Sequence, residues 1–152
     1  GHGVHGFTLD PSIGEWLLSN EQIQIPERCD VYSANEAYVN TWSETDRKFL
    51  ADFKQANAKA TSRHIGSLVA DIHRNLLKGG LYFRPYDDYK KKSAKLRLNY
   101  ELKPLAMIIE QAGGSTTDGS QSILAIQPQQ LHQKGLMIAG NASVVQDYLH
   151  RQ

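Results

Sequence analysis

The stretch RHIGSLVADIHRNLLKGGLYF, residues 63–83, decides how this chain is read. Ile65, Leu68, Val69, Ile72, Leu76 and Leu77 recur at helical spacing, so a helix is expected over 63–78. Gly79 and Gly80 end it, because glycine accepts the left-handed backbone that closes a helix. The apolar run 81–83 then reads as a strand. Upstream, 7–10 reads as a strand entering a turn at Pro11, 13–18 fits either strand or helix, and 31–34 is a short strand. A helix over 43–54 has Ser43 as cap, Glu44 and Asp46 in its first turn, and Phe49, Leu50 and Phe53 on one face. Downstream come a polar loop at 86–95 and a helix over 102–112 with Pro104 in its first turn. Short strands follow at 115–117, 123–126 and 136–139, and Asn141 caps a last helix. This alternation predicts an α/β fold with a layered sheet of mixed pairing.

The 152 residues suit one domain. A formal charge of +1, from 17 Lys and Arg against 16 Asp and Glu, argues against a nucleic-acid binder. Cys29 is the one cysteine, which excludes an internal disulfide and suits a reducing cytoplasm; it reads as a small packed residue. No apolar run approaches the roughly 20 residues of a membrane span. Gly1 and His2 read as a terminal scar, and so does the closeness of His2 to His5. The chain reads as beginning within a larger structure.

The segment KKKSAKLRLNYE, residues 90–101, places five cations within eight positions. Lys90, Lys91 and Lys92 suit a solvated loop. Lys95 and Arg97 alternate with Leu96 and Leu98, which holds both cations on one side of a packed segment and makes a phosphate site plausible. Glu101 follows Arg97 by four residues and is either its ion-pair partner or a magnesium ligand. Asn35 and Tyr38 lie just past a strand end, where α/β folds place ligand groups; they are either ligand contacts or a turn former and a half-buried ring. Arg63 and His64 open the strong helix, where free N–H groups favour an anion. Ser67 reads as a core-side small residue, and His73 and Arg74 as a polar face. Residues 113–119, GGSTTDG, read as a helix stop and turn.

GFTLDPSIGEW, YSANEAY, RHIGSLVADIHRNLLKGG, KLRLNYE and PLAMIIEQAGG, in this order, resemble the C-terminal half of class I fructose-1,6-bisphosphatases over roughly 3–150. The resemblance implies a three-layer α/β/α sandwich with a mixed sheet. It implies an enzyme of gluconeogenesis that removes the 1-phosphate of fructose 1,6-bisphosphate with Mg²⁺, working as a homo-oligomer of dimers or tetramers. It also implies that Asn35, Tyr38, Lys95 and Arg97 hold the sugar and its 6-phosphate, that Arg63 reaches a neighbouring subunit's pocket, and that Glu101 binds metal. His64 and Arg84 stand where that family has phosphate-contacting tyrosines, the loop to Lys95 is one residue longer, and Tyr86 is placed to compensate. The family's acidic metal motif is absent, which predicts that these 152 residues alone do not hydrolyse phosphate esters. Two rivals remain: a non-catalytic sugar-phosphate module, and part of a seven-carbon sugar bisphosphatase.

Overall fold

The computed structural model describes residues 2–151; the expected scar residue Gly1 lies outside them. In chain order, β1 (Gly6–Asp10) and β2 (Glu15–Asn20) form an antiparallel hairpin. β3 (Val31–Ala34) leads through a 3₁₀ turn (Glu36–Thr41) into α1 (Glu44–Ala56) and β4 (Thr61–Ser62). α2 (Leu68–Lys78) runs straight into β5 (Gly80–Arg84). β6 (Leu96–Arg97) opens into a π-helical turn (Leu98–Leu102) and α3 (Lys103–Gln111). β7 (Ser115–Thr117), β8 (Lys134–Gly135), β9 (Met137–Gly140) and α4 (Ala142–Leu149) complete the chain.

The main sheet has the order β4-β3-β5-β9-β7. β4, β3 and β5 run parallel, while β9 runs antiparallel to both β5 and β7. β5 is buried along nearly its whole length, and its alternation splits the core in two. Leu81 and Phe83 face Phe49, Phe53, Val145 and Tyr148 of α1 and α4. Tyr82 faces Ile72, Ala106 and Ile109 of α2 and α3. Helices therefore cover both faces, and the expected three-layer α/β/α sandwich with a mixed sheet is the observed architecture. On the first face aromatic rings interlock: Phe49 lies 5.3 Å from Phe83 and 4.9 Å from Tyr148. The Tyr148 hydroxyl donates to Asp46 Oδ1 at 2.8 Å, and Ser43 caps α1 by accepting from the Asp46 amide at 3.0 Å.

Several boundaries differ from the sequence expectation. The helix expected over 63–78 starts at Leu68, because Gly66 takes φ +87° and Ser67 occupies the cap position. Ser67 is exposed instead of core-side. The segment 13–18 resolves as part of a hairpin. The strand expected at 123–126 is a 3₁₀ turn, Ile123–Ala125, because the Ser122 hydroxyl accepts from the Leu124 amide and curls the backbone. Asn141 stands before α4 without capping it; its amide donates instead to the carbonyls of Pro26, at 2.5 Å, and Glu27, at 3.0 Å. Gly79 does close α2, at φ +73°, where any side chain would collide with the Arg28 carbonyl. Cys29 is half-buried, and burial together with the Asp30 charge pushes its thiol up to about 12, as befits a packed, unreactive residue.

The hairpin is the exception to this packing. Phe7, Leu9, Trp16, Leu17 and Leu18 are all exposed, Trp16 by 65%. Every buried apolar side chain among the described residues lies between Tyr32 and Tyr148. The sandwich therefore closes without the hairpin. Truncating its central aromatic, Phe83→Ala, is expected to cost about 3 to 5 kcal/mol in urea unfolding, whereas Trp16→Ala costs less than about 1 kcal/mol in this chain, as an exposed side chain should.

Candidate phosphate-binding site

The three parallel strands point their C-terminal ends the same way, and each end delivers a residue named from the sequence. β3 leads to Asn35 and Tyr38, β4 to Arg63 and His64, and β5 ends on Arg84. Ligand groups in open α/β sheets gather at such ends. Asn35 Oδ1 accepts from the Ala37 amide at 3.3 Å and so starts the 3₁₀ turn; this is the turn-forming role, and it aims Tyr38.

Tyr38 is the platform of the site. Lys95 Nζ donates to its hydroxyl at 3.2 Å and lies 5.3 Å from its ring centre. The Arg84 guanidinium carbon lies 5.8 Å from the same ring. Between the two cations stands Asp87, which the sequence reading did not single out. Its Oδ1 forms an ion pair with Arg84 Nη2 at 2.8 Å, and its Oδ2 lies 3.8 Å from Lys95 Nζ, too far for a hydrogen bond. Asp87 is held in place through its backbone. Its amide donates to the Ser93 carbonyl at 2.9 Å, and its carbonyl accepts from Thr41 Oγ1 at 2.5 Å. The loop 86–95 is thus folded back onto the turn that carries Tyr38. Lys90, Lys91 and Lys92 are exposed, as expected for the solvated part of that loop.

Arg97 and Lys95 do share the exposed side of the strand, with Leu96 half-buried and Leu98 buried between and after them. Arg97 meets Glu101 as an i,i+4 pair at 3.6 Å, and Glu101 Oε2 also accepts from the Arg97 amide at 2.7 Å. Glu101 is therefore engaged locally, on the π-helical turn. No cluster of three or more His, Cys, Asp or Glu suited to a metal occurs among the described residues. One carboxylate does not make a magnesium site, so the residues present do not by themselves fit the ion.

Arg63 and His64 are not at a helix N-terminus. Their segment is tied down by Asp71, fully buried in the first turn of α2. The Asp71 carboxylate accepts from the amides of Ile65 at 3.0 Å and Gly66 at 3.2 Å, and from Arg74 Nη2 at 2.9 Å. His64 Nδ1 stands 3.5 Å from Asp71 Oδ2. Arg74, expected on a polar face, instead reaches inward to Ser33 Oγ and to the Arg63 carbonyl, each at 2.6 Å. The negative charge of Asp71 thus occupies the position where an anion was expected. The Arg63 side chain is left exposed, on the opposite side of β3 from Arg84. His5 Nε2 meets the His2 carbonyl at 3.2 Å.

A family model described as the fructose-1-6-bisphosphatase C-terminal domain matches residues 25–151. This chain belongs to the fructose-1,6-bisphosphatase family. A class 1 fructose-1,6-bisphosphatase of Maridesulfovibrio salexigens is 49% identical over 96% of the chain, which covers 45% of that relative. One from a Synechococcus is 50% identical over 98% of the chain and 44% of its own length. The crystal structure of Leishmania major fructose-1,6-bisphosphatase in holo form superposes with a TM-score of 0.92 at 39% identity, over 99% of this chain and 47% of that one. The chain thus spans less than half the length of these relatives. The family's C-terminal-domain match begins at residue 25, after the exposed hairpin, whereas the relatives align through it. In this fructose-1,6-bisphosphatase domain, Asp71→Ala is expected to cost about 3 to 5 kcal/mol, because it strands the buried end of Arg74. Hydrogen exchange should show it as lost protection at the Ile65 and Gly66 amides.

Proposed function

We propose that the chain is the sugar-phosphate-holding half of a fructose-1,6-bisphosphatase, the gluconeogenic enzyme that converts fructose 1,6-bisphosphate to fructose 6-phosphate and phosphate. The observation that carries this reading is Lys95, 60% exposed, braced on Tyr38 at the C-terminal edge of the parallel strands in a domain of that family. An exposed ammonium held on an aromatic platform suits a phosphate oxygen. Arg97 extends the same cationic side toward the sugar phosphate, with Asn35 fixing the turn below. Arg63 reaches into the pocket of a second subunit, and His64 stands at the 6-phosphate in place of a tyrosine; exposed Ile65 and Val69 beside them suit the contact of a homo-oligomer. Glu101 would supply one carboxylate to a Mg²⁺, which would need further ligands beyond those the described residues gather. The one cysteine, Cys29, is a free thiol and suits a reducing cytoplasm, and no helix among the described residues is long and apolar enough to cross a membrane.

Within this division of labour the chain contributes positioning. Fixing the far phosphate holds the scissile one at a reproducible distance from the chemistry. The exposed apolar hairpin suits burial against the remaining half of such an enzyme. For the chain alone, the lack of an acidic cluster among the described residues favours binding without hydrolysis. Calorimetry with fructose 6-phosphate tests the pocket. Lys95→Ala and Arg97→Ala are each expected to weaken binding by about 1.5 to 3 kcal/mol, while Lys90→Ala, Lys91→Ala and Lys92→Ala change it little. Equal losses at both sets would mean diffuse attraction. A second assay measures phosphate released from fructose 1,6-bisphosphate by this chain beside a full-length class 1 enzyme. Turnover is expected only from the latter, and matching rates would overturn the division. A seven-carbon bisphosphate offered in competition to the full-length enzyme checks the sugar.

A further inference from the structure

Three charged groups meet over Tyr38, and their exposures differ sharply. The Lys95 side chain is 60% exposed, Arg84 15% and Asp87 9%. Arg84 spends its guanidinium on Asp87 at 2.8 Å, in a nearly buried ion pair. Lys95 makes no hydrogen bond to Asp87; it leans on the Tyr38 hydroxyl and feels the carboxylate only through space at 3.8 Å. The second carboxylate oxygen, Oδ2, is buried and has no hydrogen-bond partner. The carboxylate therefore has an oxygen left over, its backbone is tied to Thr41 and Ser93, and the Arg84 ion pair holds its side chain beside Lys95. The balance of the cluster is two positive charges and one negative charge, with only one cation presented to solvent.

We propose that Asp87 is a built-in counter-anion that withdraws Arg84 from ligand binding and weakens the hold of Lys95 on phosphate. Arg84 then acts as a positioning residue that neutralises Asp87, and Lys95 alone in this cluster touches the ligand. A phosphate on Lys95 feels repulsion from the nearly buried Asp87 carboxylate, 3.8 Å from that ammonium, which favours release of the phosphorylated product. This reading rests on the proposed sugar-phosphate pocket, and it adds that the Arg84–Asp87 pair sets the pocket's affinity.

Charge balance makes the test specific. Fructose 6-phosphate binding to this chain is measured by calorimetry for Asp87→Asn, Arg84→Met and the double variant, with folding of each checked by circular dichroism. Asp87→Asn is expected to tighten binding about 5- to 20-fold, since it removes the repulsion and frees a second cation. Arg84→Met is expected to weaken it by a similar factor, leaving Asp87 uncompensated beside Lys95. The double variant restores the original net charge and is expected to bind within about threefold of the parent chain. A merely structural Asp87 would give weaker binding in both Asp87→Asn and the double variant, and that result overturns the proposal. So does a double variant as weak as Arg84→Met, which would make Arg84 itself a ligand. If the parent chain binds neither fructose 6-phosphate nor inorganic phosphate, the proposed function falls. The pairing is then judged from thermal unfolding alone. The double variant should lower Tm by no more than the larger single change, and strictly additive losses would refute the pair.

Discussion

The burial of β5 on both faces is the constraint from which the rest of this molecule follows. Leu81 and Phe83 are held by the aromatic cluster on one side, and Tyr82 by the aliphatic cluster on the other. A slip of one residue would exchange the two sets, so the register is strongly specified. With β5 fixed, β3 and β4 must run parallel beside it, and the loops after all three strands emerge at one edge. Tyr38, Arg63 and Arg84 are brought to that edge by strand direction, with no dedicated scaffold.

The loop after β5 faces an electrostatic problem of its own making. Five cations in eight positions repel one another. The chain relieves this mainly by exposure, and in part with Asp88, whose carboxyl the Lys91 amide holds below the ordinary carboxylate range. Asp88 also meets Lys91 Nζ at 3.3 Å. The neighbouring Asp87 turns inward instead. Two adjacent carboxylates therefore do different work: one organises the solvated turn, and the other governs the charge presented at Tyr38.

The layered α/β architecture was legible in the sequence because it rests on local periodicity. The Ser43 cap, the Gly79 stop and the Lys95/Arg97 alternation with leucines are all visible within a few residues of chain. The resemblance carried the family in the same way, through long motifs in order. What stayed hidden depended on contacts across the sheet. Arg74 looks like one more polar residue on a helix until Ser33, 41 positions away, is placed beneath it. Asp71 looks like an acidic first-turn residue, and only the fold shows it taking two amides of the preceding loop. Asp87 sits three residues after Arg84, a spacing that carries no geometric meaning in a loop. Its role appears only once Thr41 and Ser93 fold that loop back. Asn141 failed as a cap for the same reason, since Pro26 and Glu27, more than a hundred positions earlier, claim its amide.

The distribution of burial separates the hairpin from the rest of the chain. The sandwich is closed by its own residues, from Tyr32 to Tyr148, and its cationic edge is assembled within that closed unit. The hairpin adds nothing to this core and leaves apolar side chains such as Trp16 and Phe7 in water. An isolated two-stranded hairpin is marginal by itself, and apolar exposure of this extent marks a surface that belongs against another. The break between the family's C-terminal domain and the hairpin falls where the packing also breaks. The cationic edge is thus a property of a unit that folds around its own core. The exposed apolar hairpin lies outside that unit, and its packing calls for a partner surface that the sandwich does not supply.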